Sequence, residues 1–183
     1  MNFSGAVLNG GISSRMGEDK ATLSYKGERL IDVSLEALRQ VGASEIFIVG
    51  GDSFVAEGST NVGYCEDLYP GEGPLGGVIS AIAHANTNTV IVLACDLLNL
   101  TSEVLQQCIE TLGSQDVSFP AVLEINQVLC AAWRIEALPK LIESFDSGNR
   151  SLMGSLDYLD FNTFPLADSE LVRGANTPDD LCS

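Results

Sequence analysis

Phe3-Ser4-Gly5-Ala6-Val7-Leu8 runs directly into Asn9-Gly10-Gly11-Ile12-Ser13-Ser14-Arg15-Met16-Gly17-Glu18-Asp19-Lys20. The first six residues read as a buried strand and the glycines after them as a loop. Glycine removes side-chain bulk, so backbone N–H groups can approach an anion closely. Arg15 and Lys20 bring fixed positive charge to the same loop, the combination a nucleoside triphosphate needs. An ordinary strand-to-helix turn is the alternative reading, and it has little use for two cations. The loop lacks the Lys-Ser/Thr ending of a P-loop and the third glycine of a dinucleotide fingerprint.

Outward from this loop, strand-like and helix-like runs alternate. Residues 30–42 have Ile31, Leu35 and Leu38 on one helical face, with Gly42 as a stop. Ile46–Val49 is a second buried strand ended by Gly50-Gly51, and Val62–Cys65 a short third. Pro74 suits a first helical turn, so 75–85 is predicted helical. Val90–Ala94 is the clearest central strand. Thr101 is a candidate N-cap for a helix that Gly113 ends. Further on, Val117–Val122 and Val128–Trp133 read as strands, 135–146 as a helix whose boundary Pro139 leaves open, and Ser151 as the cap of a helix to about Tyr158. Phe161–Phe164 and Glu170–Val172 are predicted edge strands, and Thr177-Pro178-Asp179-Asp180 the start of a short helix. The alternation predicts a three-layer α/β/α sandwich with a mostly parallel, Rossmann-like sheet. Ligands of such sheets bind beyond the carboxyl ends of the strands, where the opening loop and Asp96 both fall.

The chain has 183 residues, 45% of them hydrophobic, and a net charge of −16. That length suits one domain, 1–183. The charge argues against nonspecific nucleic-acid binding and requires any polyphosphate to be held locally, by a few cations, backbone dipoles and a divalent metal. No stretch approaches the roughly 20 apolar residues of a membrane span, and no basic segment precedes an apolar run as in a signal peptide. Cys65, Cys95, Cys108, Cys130 and Cys182 are scattered without a C-x-x-C pair, so buried free thiols (Cys95, Cys108, Cys130) and a cytoplasmic location are expected.

Asp96 closes the strand Val90–Ala94. A carboxylate there suits Mg²⁺, which takes oxygen ligands and bridges phosphates; capping of the loop toward Thr101 is the alternative. Asp67 follows a short strand and precedes a glycine-rich loop, where a solvated turn residue is the plain reading. Gly71-Glu72-Gly73-Pro74-Leu75-Gly76-Gly77 permits close approach of a base or ribose, or close helix–sheet packing. His84, the only histidine, reads as a surface or packing residue, and Trp133, the only tryptophan, as a core residue. Arg150 and Arg134 either meet an acceptor phosphate or cap neighbouring helices.

Leu8-Asn9-Gly10-Gly11-Ile12-Ser13-Ser14-Arg15-Met16-Gly17-Glu18-Asp19-Lys20 resembles the signature of nucleotidyltransferases with a glycosyltransferase-A-like fold. The Gly-Gly and the closing Asp-Lys resemble molybdenum cofactor guanylyltransferases in particular. Glu66-Asp67, Gly73-Pro74-Leu75-Gly76-Gly77, Cys95-Asp96 and Asn176-Thr177-Pro178-Asp179-Asp180-Leu181 follow in the family's order. Asn9 stands where the family normally has alanine, and the family's prolines after the aspartate and at Val128 are missing. The resemblance implies transfer of GMP from GTP to molybdopterin, with release of pyrophosphate and with Mg²⁺ as cofactor. It implies Arg15, Lys20 and Asp96 as catalytic residues, Asp96 as the metal ligand, and Leu8, Asn9, Gly10, Gly11, Lys20, Asp67, Gly76 and Asp96 around the nucleotide. Molybdenum-insertion and molybdoenzyme-maturation proteins become candidate partners. The alternatives are a relative using CTP or a sugar phosphate, and a non-catalytic nucleotide-binding module.

Overall fold

β1 (Ser4–Leu8) is buried along its whole length and lies inside the sheet, paired in parallel with both β4 (Glu45–Val49) and β6 (Thr89–Ala94). Between β1 and β4 come the hairpin β2 (Ser24–Tyr25) and β3 (Glu28–Arg29) and the helix α1 (Leu30–Gln40). The remaining strands are β5 (Gly63–Cys65), β7 (Val117–Val122), β8 (Ile125–Asn126), β9 (Cys130–Arg134) and β10 (Phe161–Pro165). The remaining helices are α2 (Pro74–His84), α3 (Ser102–Leu112), α4 (Leu138–Asp146) and the short α5 (Leu152–Ser155). This computed structural model describes residues 2–9, 21, 23–53, 55, 59–175, 177 and 180–181.

The main sheet has the order β10-β7-β9-β6-β1-β4-β5, with β8 beside β7. β9 runs antiparallel to β6 and β7, and β10 parallel to β7, so the sheet is mixed with mostly parallel strands. Alternate residues of the central strands supply two cores, as the two-residue period of a strand requires. Val7, Ile48, Ile91 and Leu93 pack with Leu35 and Leu38 of α1 and Leu105 of α3. Ala6, Leu8, Phe47 and Val92 face the other way, against Val78 of α2, Trp133 and Leu141 of α4.

Most predicted elements have their observed counterparts within a residue or two. The predicted helix 135–146 is a 3-10 turn, Ile135–Ala137, followed by α4, with Pro139 in its first turn, where a missing N–H is harmless. Ser151 caps α5 by accepting from the Gly154 amide. The Glu170–Val172 strand is a correction. Those residues form a 3-10 turn (Ser169–Val172) opened by the Asp168 carboxylate, which accepts from the Glu170 amide. The strand-like contact comes just after it, where Gly174 bridges Leu97. Pro178 and Asp179 of the predicted final helix lie outside the described residues; Asp180 accepts from the amide and hydroxyl of Thr177.

Candidate functional site

The register aligns the carboxyl ends of four neighbouring parallel strands. Leu8 pairs with Ala94 on one side and Val49 on the other, and Val49 pairs with Cys65. The residues just beyond this row are Asn9 after β1, Cys95-Asp96 after β6, Gly50-Gly51 after β4 and Glu66-Asp67 after β5. Asp96 and Asp67 therefore flank the exit of β1, three strand spacings or about 14 Å apart. This is the rim at which open α/β sheets bind ligands.

Asp67 is half-buried, and Oδ1 accepts from the Tyr69 amide (2.9 Å). The same oxygen lies 3.0 Å from Ser80 Oγ, a hydroxyl that also lies 2.8 Å from the Gly76 carbonyl and accepts from the Leu68 amide. Oδ2 takes part in none of these bonds. Gly76 is a packing residue as well as a candidate nucleotide contact: a Cβ there would sit 2.7 Å from Tyr69 Cβ. Nothing in the sequence marked Ser80 as part of this group.

Asn9 is buried, and its amide N–H donates to the Val49 carbonyl (2.8 Å). Its side chain fills the space beside Gly51, which has φ +66°, so that any Cβ at 51 would strike the Asn9 amide. A Cβ at Gly50 would lie 3.3 Å from Asp67 Cβ and 3.8 Å from the Asn9 carbonyl oxygen. Asn9, Asp67 and the bare Gly50-Gly51 turn thus form one continuous patch.

Asp96 is half-buried, and its carbonyl accepts from the Ala175 amide (2.9 Å). A Cβ at Gly174 would sit 3.2 Å from Oδ1 and 3.5 Å from Oδ2, so this glycine keeps the space beside both oxygens open. That hard, half-exposed oxygen pair fits Mg²⁺, which is commonly bound through one or two carboxylates with water and substrate phosphates completing its shell. Among the described residues no three His, Cys, Asp or Glu side chains gather as a metal cage.

Gly10, Gly11, Arg15 and Lys20 lie outside the described residues. The other seven of the chain's nine basic side chains are engaged elsewhere. Lys26 lies over the Tyr25 ring, and Arg29, Arg39, Lys140, Arg150 and Arg173 each pair with a carboxylate. Arg134 donates to the Gly113 carbonyl just past the end of α3. Arg134 also pairs in register with Thr89, at the amino-terminal end of β6 and away from the rim, which removes it from the acceptor role. Arg150 stacks on Phe145, bonds Glu72 at 2.6 Å and donates to the Phe145 carbonyl in the last turn of α4, so it acts as a helix cap.

His84 packs edge-on against Phe47, and Trp133 is fully buried, as expected. Cys65, Cys108 and Cys130 are buried thiols. Burial was also expected of Cys95, but it is only half-buried, because it lies on the rim beside Asp96. Among the described residues no helix is long and apolar enough to cross a membrane.

The mixed, mostly parallel sheet flanked by helices is the nucleotide-diphospho-sugar transferase fold, which solved nucleotidyltransferases share. The comparisons narrow this. The family described as "MobA-like NTP transferase domain" matches residues 5–159, and the chain belongs to that family. A protein of Nostoc sp. called "Probable molybdenum cofactor guanylyltransferase" is 31% identical over 98% of this chain and 89% of its own length. The "Molybdenum cofactor guanylyltransferase" of Xanthomonas euvesicatoria is 33% identical over 74% of this chain and 66% of its own. Among solved structures, the molybdopterin-guanine dinucleotide biosynthesis protein A of Archaeoglobus fulgidus superposes with a TM-score of 0.79 at 27% identity, covering 98% of this chain and 95% of that one.

Proposed function

We propose that this protein transfers GMP from GTP to molybdopterin, forming the guanine dinucleotide and releasing pyrophosphate. The observation that carries the reading is the placement of Asp67 and Asp96 on level strand ends around the exit of β1, in a chain resembling a named guanylyltransferase along 98% of its length. GTP would lie over the loop after β1 and the Gly50-Gly51 turn, with Asp67 at its nucleoside end.

The terminal phosphate of the acceptor would attack the α-phosphorus in line, and pyrophosphate would leave. Positioning and charge stabilisation suffice, because an acceptor phosphate is already ionised and requires no strong base. Arg15, Lys20 and the loop N–H groups would stabilise the departing pyrophosphate. Asp96 would hold Mg²⁺, which supplies positive charge to the phosphates when bound. A reducing compartment, the cytoplasm, suits the buried thiols of Cys65, Cys108 and Cys130. Proteins that insert molybdenum or mature molybdoenzymes are the expected partners.

The test is pyrophosphate release from purified protein supplied with GTP, Mg²⁺ and molybdopterin. Release that requires molybdopterin and prefers GTP supports the reading. Release with CTP instead, or with a sugar phosphate instead of molybdopterin, would replace it with a related transferase, and no release would replace it with a binding module.

A further inference from the structure

The hairpin of β7 and β8 carries a feature that the chemistry above leaves without a role. Leu123 and Ile125 are 90% and 66% exposed. Leu123 and Glu124 form the two-residue turn between the paired residues Val122 and Ile125, with φ of 48° and 66°. Such a turn needs left-handed backbone at both central positions, which asparagine and glycine adopt readily. A leucine at this place is sterically strained and then presents its apolar side chain to water, so folding alone does not account for it. The stem is firmly placed, with the Gln127 amide bonded to Pro120 and the Leu166 amide to Ala121, both at 2.9 Å.

The register puts this tip beside the site. β9 is antiparallel to both β6 and β7, so β6 and β7 run the same way. Val90, Trp133 and Val117 form one row across these strands. Asp96 stands six residues beyond Val90, and Leu123 six beyond Val117. The tip therefore rises from the same end of the sheet as Asp96, on the second strand along from β6. The nucleotide's contacts lie on the other side of Asp96, at Asn9, Gly50-Gly51 and Asp67. The flank left for a second substrate is that of β9 and β7.

We infer that Leu123 and Ile125 form an apolar lip that seats the fused ring of the pterin acceptor while its phosphate lies at Asp96. The inference rests on the proposed acceptor. Aliphatic side chains suit the faces of a flat ring whose polar groups lie along its edge, and covering a face removes apolar surface of both partners from water. The lip is a binding element: it touches neither the triphosphate nor the reacting phosphorus.

The test uses the full chain with Leu123→Ser, Ile125→Ser, the double variant and the conservative Leu123→Met. Each serine variant should raise the KM for molybdopterin about tenfold, the scale of a lost aliphatic contact in a binding pocket. The Kd for GTP and the kcat at saturating molybdopterin should stay within about twofold, and Leu123→Met should match the parent. Binding of molybdopterin without turnover, read from the fluorescence of the pterin, should weaken in parallel. An unchanged molybdopterin KM in the double variant, or an equal loss of GTP affinity, overturns the lip. If the parent binds molybdopterin but transfers no GMP, the proposed activity fails while the binding measurement still decides the lip; if it binds none, both fall.

Discussion

Ser80 Oγ lies 3.0 Å from Asp67 Oδ1 and ties the middle of α2 to the loop after β5. The hydroxyl also accepts from the Leu68 amide, so one buried atom fixes both the carboxylate and the backbone next to it. Ser80→Ala should destabilise the fold by about 1–2 kcal/mol, the scale of leaving buried polar groups unpaired. It should also weaken GTP binding several-fold, because the Asp67 carboxylate keeps the Tyr69 amide but loses its second partner. Denaturant melts and calorimetry measure the two effects; a stability loss with unchanged GTP affinity would remove Asp67 from the nucleotide site.

Lys20→Ala should lower turnover at least about 100-fold, the scale of removing a charge-stabilising group from the transition state. Its melting temperature should stay within about 3 °C of the parent. Asp96→Ala should leave whatever activity remains unresponsive to Mg²⁺. Activity like the parent's in the first, or an unchanged magnesium dependence in the second, would reject the assigned role.

GTP should protect the protein from heat more than CTP does. At a concentration 100 times its Kd, a ligand adds about 2.7 kcal/mol, which is about 5–10 °C for a chain of this size. The reverse order of the two nucleotides in a thermal-shift series would favour cytidylyl transfer.

Acid should weaken the amino-terminal end of the parallel strands, opposite the site, through Glu45. Partial burial raises its carboxyl, but hydrogen bonds from the Asn86 amide, the Asn86 side chain and the Ser4 hydroxyl outweigh this and leave the pKa below the ordinary carboxylate value. A lowered folded-state pKa stabilises the protein above the unfolded-state value. That contribution is lost as pH falls through the folded one, below about pH 4. Glu45→Gln should therefore be less stable than the parent at pH 7 and converge on it in acid. A constant difference between their denaturant midpoints across this range would remove Glu45 from the acid response.

The Leu123-Glu124 turn invites a change that separates stability from binding. Replacing it with Asn-Gly (Leu123→Asn with Glu124→Gly) relieves the left-handed strain and should add about 1 kcal/mol. The melting temperature should rise by about 2–4 °C while the molybdopterin KM rises as well. A more stable protein with an unchanged KM would show that the leucine does not serve the acceptor.

The parallel half of the fold is legible in the sequence because its signals are local. An apolar run ending in glycines marks β1, a proline marks the first turn of α2, and Ser151 marks α5. The direction of β9 is not legible, since alternation along a strand is the same read either way. Glu170–Val172 looks like a strand because Leu171 and Val172 pack inward, but a short turn buries them equally well. The β2–β3 hairpin turns on Lys26-Gly27, with φ of 52° and 88°, a weaker cue than Asn-Gly. Asp67 and Asp96 stand out as carboxylates at strand ends, whereas Ser80 and Gly174 matter only through contacts made across the fold. The fates of Arg134 and Arg150 were likewise set by distant partners, the Gly113 carbonyl and Glu72.

β1 is made first, yet it ends between two parallel neighbours, one of which pairs Val90 with Ser4. At about 5–20 residues per second of synthesis, the strand from which the glycine-rich loop departs waits several seconds for its second neighbour to emerge. Throughout that interval the buried strand Ser4–Leu8 has an unpaired edge, which is open to pairing with another chain.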